Sequence, residues 1–390
     1  MSIATRWEWV EARPVQRWAL AVAGAGLGAC ALGAIWQPAQ FFHSWLLAFN
    51  ACLAFGLGSL ALLMLHHLTG GVWGFGIRRM LEASSRTLPL MAVLFLPLLL
   101  GLAQNYPWAQ SGGPHEIPHE QEAYYEVPFF CARAALYFAI WLVVMYLLNR
   151  WSAAHDQTGD AAYARRAQTF SGPGLILYGL TVTFAAVDWV MSLDAKWYST
   201  IFGPVVALSQ MLPALAVAIA AATFLATRKP LADLAGPALW NDLGNLLLAF
   251  VMLWTYVVFS QFLLIWSGNL PEEISYYVAR SEGGWIWIAV ALAVFNFILP
   301  FLMLLSRDIK RNPAKLRIVA LAVAAMSFAH QFWMIAPAFS PRVFWLDWMD
   351  VAALTGMGGL WLAVFVWQIQ QRPMLPVHHE SFGEEALQHV

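Results

Sequence analysis

Asp188 is a carboxylate inside a long apolar stretch, FAAVDWVMSLDAKWYST, at residues 184–200. A charged group at membrane depth costs at least about 2.5 kcal/mol, so it normally faces protein or water and has a partner. At helical spacing, Tyr178 and Thr181 lie on the same face as Asp188, and Arg133, at the start of another apolar stretch, is its candidate ionic partner. This face could pass protons or could hold helices together, and the sequence leaves both interpretations open.

Further polar groups lie in later apolar stretches. His330 is inside the ninth stretch, and its imidazole has the chemistry of a relay because it changes charge near neutral pH. In the seventh stretch, helical spacing places Asp242, Asn245 and Tyr256 on one face. We consider these four residues candidate members of a proton path. For Asp242, which begins its helix, a capping role is the favoured interpretation.

The sequence argues against a metal or haem in this chain. HEIPHE at residues 115–120 matches the zinc-protease pattern H-E-x-x-H, but Pro118 prevents the helix that would bring both histidines to one face. A b-type haem between helices needs inward histidines on different spans, and only His330 is clearly inside a span. The cysteines lie far apart and form no C-x-x-C motif; they are Cys30, Cys52 and Cys131. We therefore expect no metal site and no redox centre in the chain itself.

The elements that must position these residues are membrane-spanning helices. Of the 390 residues, 61% are hydrophobic and only 11% are charged, whereas soluble domains have about 25% charged residues. We predict an all-α polytopic membrane protein that forms a single integral domain over residues 1–390, with a transmembrane region at about 18–368 and a cytoplasmic tail at about 369–390. The ten predicted spans are Trp18–Trp36, Trp45–Leu65, Thr87–Ala103, Val127–Leu148, Gly172–Leu193, Ile201–Phe224, Leu243–Trp266, Trp285–Leu305, Leu316–Ile335 and Val351–Gln368.

The distribution of basic residues predicts the orientation. With the N-terminus inside, all but four of the 21 Lys and Arg residues lie in segments on the inner side. The four exceptions are Arg133, Lys196, Arg280 and Arg342. This positive-inside bias predicts that both termini are cytoplasmic. It also supports the count of ten spans, since a missed span would move the basic residues that follow it to the outer side.

Three segments carry further predictions. Leu27–Cys30 resembles a lipoprotein cleavage site, but the apolar run continues to Trp36, which favours the middle of the first span. His66–Thr87 mixes aromatic and apolar residues with arginines, which predicts a short amphipathic helix at the inner membrane interface. The tail from Gln370 is polar and acidic, and we expect it to dock on a partner or to remain free.

Three long segments resemble one family of membrane subunits. They are HHLTGGVWGFGIRRMLEASSRTLPL, FAAVDWVMSLDAKWYSTIFG and LLLAFVMLWTYVVFSQFLLIWSGNLPEE. From about Arg17 to Gln368, the chain resembles the ActF subunit of alternative complex III, or quinol:cytochrome c oxidoreductase quinone-binding subunit 2, a relative of the NrfD-like membrane subunits of polysulfide reductases. The resemblance implies two four-helix bundles, formed by helices 2–5 and 6–9, with helices 1 and 10 at the periphery.

The resemblance also implies a function. Such complexes oxidise menaquinol or ubiquinol in the bacterial cytoplasmic membrane and pass electrons to cytochrome c or another periplasmic acceptor. Haem c and iron–sulfur clusters are expected in partner subunits, namely a multihaem cytochrome c and an iron–sulfur subunit, with an NrfD-like subunit providing the quinol site. This chain would then supply a scaffold and a proton-conducting path, in contact with lipid and quinol and with no nucleic acid.

Two alternatives stay open. Ten spans with buried carboxylates also suit a proton-coupled secondary transporter, although the pair of broken helices typical of such proteins is not evident. The chain could instead hold a quinone site of its own beside Asp188 or His330. Copurifying redox subunits would favour the first function, and substrate uptake by liposomes that hold only this chain would favour a transporter.

Overall fold

The computed structural model describes residues 12–110, 123–194, 196–226, 236–341 and 343–373. Within these ranges the chain forms helices joined by turns, and no strand occurs. Ten helices are long and apolar enough to cross a bilayer, which confirms the predicted fold class. The zinc-protease-like motif at 115–120, Arg342 and tail residues 374–390 lie outside the described residues.

The spanning helices agree with the predicted stretches in number and order, and most are longer. A helix satisfies its backbone N–H and C=O groups internally, which a bilayer requires. We number them α1 (Ala12–Trp36), α2 (Pro38–Thr69), α3 (Val72–Leu100), α4 (Val127–Thr158), α5 (Ala161–Leu193), α6 (Phe202–Leu225), α7 (Pro237–Gly268), α8 (Trp285–Leu305), α9 (Pro313–Ala338) and α10 (Trp348–Gln370). We call the side that the basic residues predict to be cytoplasmic the inner side, and the opposite side the outer side.

Two four-helix bundles are built from consecutive helices, as expected. In the first bundle, α2 packs on α3 and α5, and α4 packs on the same two helices. In the second bundle, α6 packs on α7 and α9, and α8 also packs on both. The bundles meet along α2 and α6, where a Cβ atom at Gly58 would lie 2.1 Å from the Gln210 carbonyl oxygen. Helices α1 and α10 are peripheral, since α10 packs on α2 and α1 packs mainly on α10.

The first part of α3 is a buried helix. Val72–Ser85 is helical, as expected for His66–Thr87, and most of it is buried against α2, α6, α7 and α10. Leu88–Leu100 follows after only Arg86 and Thr87, so the two parts form one crossing that begins earlier than predicted. Burial is possible because the polar side chains of this helix find ionic partners inside the protein.

Small residues let α1 and α10 pack backbone against backbone. A Cβ atom at Gly26 of α1 would lie 2.6 Å from the Ala352 carbonyl oxygen and from the Gly356 nitrogen of α10. Such contacts are typical of membrane helices, in which van der Waals packing replaces the hydrophobic effect. Cys30 lies on the same buried face of α1, so Leu27–Cys30 forms part of this helix.

We expect Gly26→Ala to lower the free energy of unfolding by about 1–3 kcal/mol, because the added methyl group forces the two backbones apart. Gly28→Ala is the matched control, since a Cβ atom there meets nothing within 4 Å. Thermal unfolding of the detergent-solubilised protein measures both variants. Equal effects of the two changes would contradict the close approach of α1 and α10.

Candidate functional site

Asp188 is fully buried toward the outer end of α5 and accepts three hydrogen bonds. Arg133 of α4 supplies two of them, from Nε to Oδ2 and from Nη2 to Oδ1, each at 2.9 Å. The Tyr137 hydroxyl, one turn further along α4, donates to Oδ2 at 2.8 Å. The structure therefore places the two residues that the sequence suggested as partners in a bidentate ion pair, a strong geometry for arginine and carboxylate.

Aromatic rings enclose the Arg133 side chain on its outer side. Its Nη1 atom donates to the Tyr124 carbonyl at 2.8 Å. The guanidinium lies over the rings of Tyr124 and Phe129, at 3.8 and 4.4 Å from their centroids. Burial, with the charge of Asp188 nearby, raises the pKa of the Tyr124 phenol above its usual value. Tyr124 therefore covers the ion pair as a neutral ring.

Trp189, the neighbour of Asp188, joins the four helices of the first bundle. Its indole lies 5.9, 4.8 and 5.8 Å, between ring centroids, from Phe49 of α2, Phe95 of α3 and Phe138 of α4. Such aromatic contacts contribute about 0.5–1.5 kcal/mol each beyond their buried area. The ion pair therefore lies beside a rigid aromatic core.

The polar face of α5 does not form one continuous chain of hydrogen bonds. Thr181 Oγ1 accepts a hydrogen bond from Trp141 Nε1 at 2.8 Å and donates to the Leu177 carbonyl at 2.7 Å. The Tyr178 hydroxyl donates to Gln210 Oε1 of α6 at 3.1 Å. The face thus links α5 to α4 near Thr181 and to the second bundle near Tyr178.

Tyr137 differs from Arg133 in the hydrogen bonds that it can make. A guanidinium only donates hydrogen bonds, whereas a tyrosine hydroxyl can donate and accept. Tyr137 is therefore the partner of Asp188 whose hydroxyl could also accept a hydrogen bond from a further group.

His330 lies in a separate cluster inside the second bundle. Its Nδ1 atom is 3.2 Å from Ser209 Oγ of α6, and Trp254 Nε1 of α7 donates to the same oxygen at 3.2 Å. The Ser209 hydroxyl donates its hydrogen bond to the Val205 carbonyl. It therefore accepts from His330, whose proton is on Nδ1 in this arrangement. No hydrogen bond joins the described side chains of His330 and Asp188.

A second buried arginine, Arg280, is at the outer side of the second bundle. It lies on the short helix Pro271–Ser281 and donates to the backbone carbonyls of Trp333 and Met334 at 3.1 and 2.6 Å. Its guanidinium lies 3.4 Å from the Tyr276 ring centroid, as Arg133 lies over a tyrosine in the first bundle. The carbonyl end of a helix carries partial negative charge. The end of α9 therefore stabilises the Arg280 guanidinium, as the carboxylate of Asp188 stabilises that of Arg133.

A cavity of about 300 Å³ opens between the two bundles at the outer side. Its wall includes Trp108, Asp194, Trp197 and Arg280, and Trp197 stacks on the Tyr276 ring at 4.1 Å. Aromatic walls with a few polar groups are typical of sites for small molecules. None of the four buried relay candidates lines this cavity; they are Tyr178, Thr181, Asp188 and His330.

The candidates on α7 lie on the surface of this chain. Tyr256 is 68% exposed, and Asp242 and Asn245 are exposed as well. Asn245 Oδ1 accepts a hydrogen bond from Lys310 Nζ at 2.7 Å. The structure does not bring these three residues together with Asp188. Helical spacing groups residues on one face correctly, but it does not say whether that face points inward.

Sequence reasoning missed an ionic cluster at the inner end of the first bundle. Glu82 of α3 is fully buried and binds Arg78 at 2.9 Å, Arg79 at 2.7 Å and Arg372 at 3.1 Å. Arg79 also binds Asp156 of α4 at 2.6 Å. The spacing of the two α3 arginines from Glu82 could have predicted their ion pairs with it. Nothing in the sequence predicts that Arg372 also binds Glu82. Arg372 lies in the predicted tail, so the start of this segment packs on the protein.

Comparisons with known proteins assign no family to the chain. No protein-family model matches it, and no curated protein matches it either. The described part of the chain contains no group of three or more His, Cys, Asp or Glu side chains that could hold a metal ion.

We expect strong thermodynamic coupling between Arg133 and Asp188. Arg133→Gln or Asp188→Asn alone leaves a buried partner uncompensated and should lower the free energy of unfolding by about 3–5 kcal/mol. The double variant should lose much less than the sum of the two. Unfolding curves in detergent measure the coupling. Tyr137→Phe is a comparison variant, for which we expect a loss of about 1 kcal/mol in the free energy of unfolding. Losses that simply add would contradict a stabilising pair.

At the inner end, Glu82→Gln should destabilise the protein more than Asp156→Asn does. Glu82 binds three arginines in full burial, whereas Asp156 binds Arg79 at a partly exposed position. We expect losses of about 3–5 kcal/mol for Glu82→Gln and about 1 kcal/mol for Asp156→Asn. Midpoints of thermal unfolding compare the two. A larger loss in Asp156→Asn would mean that Glu82 is not the centre of the cluster.

Proposed function

We propose that this chain is an integral membrane subunit of a quinol-oxidising electron-transfer complex of the alternative complex III type, in a bacterial cytoplasmic membrane. Partner subunits would pass electrons from menaquinol or ubiquinol to cytochrome c or another periplasmic acceptor, and haem c and iron–sulfur clusters would lie in those partners. The three ActF-like segments support this proposal. The structural observation that carries it is the exposed polar face of α7.

This α7 face suits a protein neighbour better than lipid. Tyr256 is exposed near the middle of the helix, and Asn245 and Asp242 follow toward its inner end. Hydrocarbon offers no hydrogen bond to a phenol or an amide, so polar groups on membrane helices usually meet other protein or water. Asn245 already accepts a hydrogen bond from Lys310, but a helix from a neighbouring subunit could supply a partner to the exposed Tyr256 hydroxyl, which favours a role within a larger complex.

Within such a complex, we assign the chain a scaffold and a proton path through the first bundle. The path would start at Asp188 and Tyr137 near the outer side and continue past Thr181 to Tyr178, which contacts Gln210 of the second bundle. Because direct hydrogen bonds do not join the described side chains of Tyr137, Thr181 and Tyr178 to one another, water would have to bridge them. Quinol oxidation releases protons, and buried carboxylates with hydroxyl neighbours are typical of proton relays in membrane proteins. His330 would serve the second bundle through Ser209.

Isolation from the native membrane tests the subunit proposal. Affinity purification of the full-length protein should recover a multihaem cytochrome c, visible by its haem absorbance, and an iron–sulfur subunit, identified by mass spectrometry. Recovery of the chain alone would contradict the proposal. If that isolated chain also moved a solute into liposomes with protons, a secondary transporter would be the better assignment.

Tyr137→Phe should separate proton transfer from packing. It keeps the ion pair of Arg133 and Asp188, so the complex should assemble, but it removes the hydroxyl that can exchange a proton with Asp188. We expect quinol oxidation or coupled proton movement to fall about tenfold or more. Asp188→Asn should do the same if the complex still assembles. Tyr146→Phe, which removes the hydroxyl of an exposed tyrosine on the same helix, is the matched control, and full activity in Tyr137→Phe would leave the cluster a structural role only.

The outer cavity favours a second candidate function, a quinone site in this chain. Trp108 and Trp197 give it aromatic walls, and Lys196 and Arg280 place positive charge beside it. A photoreactive quinone analogue should then label residues of this wall, and excess menaquinone should protect them. Labelling confined to partner subunits would exclude the cavity as the quinone site.

A further inference from the structure

We propose that a cavity at the inner end of the first bundle binds a phosphate group, either the headgroup of an anionic phospholipid or a soluble phosphate ester. The cavity has a volume of about 470 Å³ and lies where α2 and α4 end and where α3 and α5 begin. The respiratory role assigns no ligand to this place. The proposal does not depend on that role and is tested apart from it.

Positive charge dominates the cavity wall. Its charged side chains are Arg78 and Arg165, and none of the described residues that line it is Asp or Glu. Behind the wall, Arg78 belongs to the Glu82 cluster, in which the described residues supply three arginines and two carboxylates. The cluster therefore keeps an excess of positive charge. A concave cationic surface of this kind favours an anion over a neutral or cationic ligand.

The start of α3 adds backbone donors to the same cavity. The chain turns from α2 into α3 through Gly70 and Gly71, which have φ of 64° and 92°. No side chain caps the first turn of the helix after this turn. The free N–H groups of a helix start carry partial positive charge, which complements the cationic side chains. Thr69 and Tyr163, in the same wall, offer hydroxyl groups.

An apolar part of the wall fits the rest of a phospholipid. Leu68, Val72, Phe75 and Trp151 lie beside the cationic residues. Leu68 is 40% exposed, so apolar surface continues out of the cavity. A basic pocket between membrane helices at the cytoplasmic side is an arrangement that binds anionic headgroups. A phospholipid and a soluble phosphate ester both present a phosphate group to the cationic residues. Only the phospholipid also has acyl chains, which the apolar part of the wall could contact.

Arg165 and Arg166 form a matched pair for the test. Both side chains are exposed, but only Arg165 lines the cavity. Native mass spectrometry of the full-length protein in detergent, titrated with phosphatidylglycerol, measures the affinity. We expect Arg165→Glu to weaken binding about tenfold or more, because it reverses a charge at the phosphate. Arg166→Glu should weaken binding several-fold less than Arg165→Glu does, because Arg166 lies outside the cavity and approaches its wall only over the Tyr163 ring, whose centroid lies 5.5 Å from the guanidinium.

Two further titrations identify the source of the phosphate. Phosphatidylcholine, whose phosphate is balanced by choline, should bind more weakly than phosphatidylglycerol. If glycerol 3-phosphate displaces the lipid, and this depends on Arg165, the cavity takes soluble phosphate esters; if it does not, the cavity takes lipid. Equal losses in the Arg165 and Arg166 variants, or equal binding of the two lipids, would overturn the proposal.

Discussion

A charge buried in a membrane protein must find its partner within the protein, and this constraint shapes both ends of the first bundle. Asp188 meets Arg133 and Tyr137 toward the outer end, while Glu82 meets three arginines at the inner end. Such pairs add little net stability, but breaking one is costly. They therefore specify which helices are neighbours, and the aromatic core around Trp189 fills the space beside the outer pair.

Each bundle buries an arginine near its outer side, and the two arginines are stabilised by different kinds of group. Arg133 and Arg280 both lie over a tyrosine ring, but the first binds a carboxylate and the second binds backbone carbonyls at the end of α9. A carbonyl cannot take up a proton at ordinary pH, whereas a carboxylate can. The two arginines are therefore held by chemically different partners, an ionisable carboxylate in the first bundle and neutral backbone carbonyls in the second. The second bundle instead presents the polar face of α7 to its surroundings.

The sequence predicts the parts of this structure that depend on single helices. Long apolar stretches give the ten spans, and the rarity of charge inside them singles out Asp188 and Arg133. The sequence does not predict the features that depend on tertiary packing. The polar face with Tyr256 has the same spacing as that with Asp188, yet one is exposed and the other is buried. Likewise, the spacing of Glu82 from its α3 arginines does not reveal that Arg372, from beyond α10, completes the cluster and allows α3 to be buried.

Arg78 connects the packing of the first bundle to the phosphate-binding cavity. It donates to Glu82 and Ser152 and also forms part of the cavity wall. An anion in the cavity would offset the excess positive charge of the Glu82 cluster, so it would stabilise the same contacts that hold α3 against α4. A ligand that binds only the folded state raises stability in proportion to the logarithm of its concentration over Kd. The phosphate ligand of the cavity would therefore contribute to the stability of the bundle that holds Asp188.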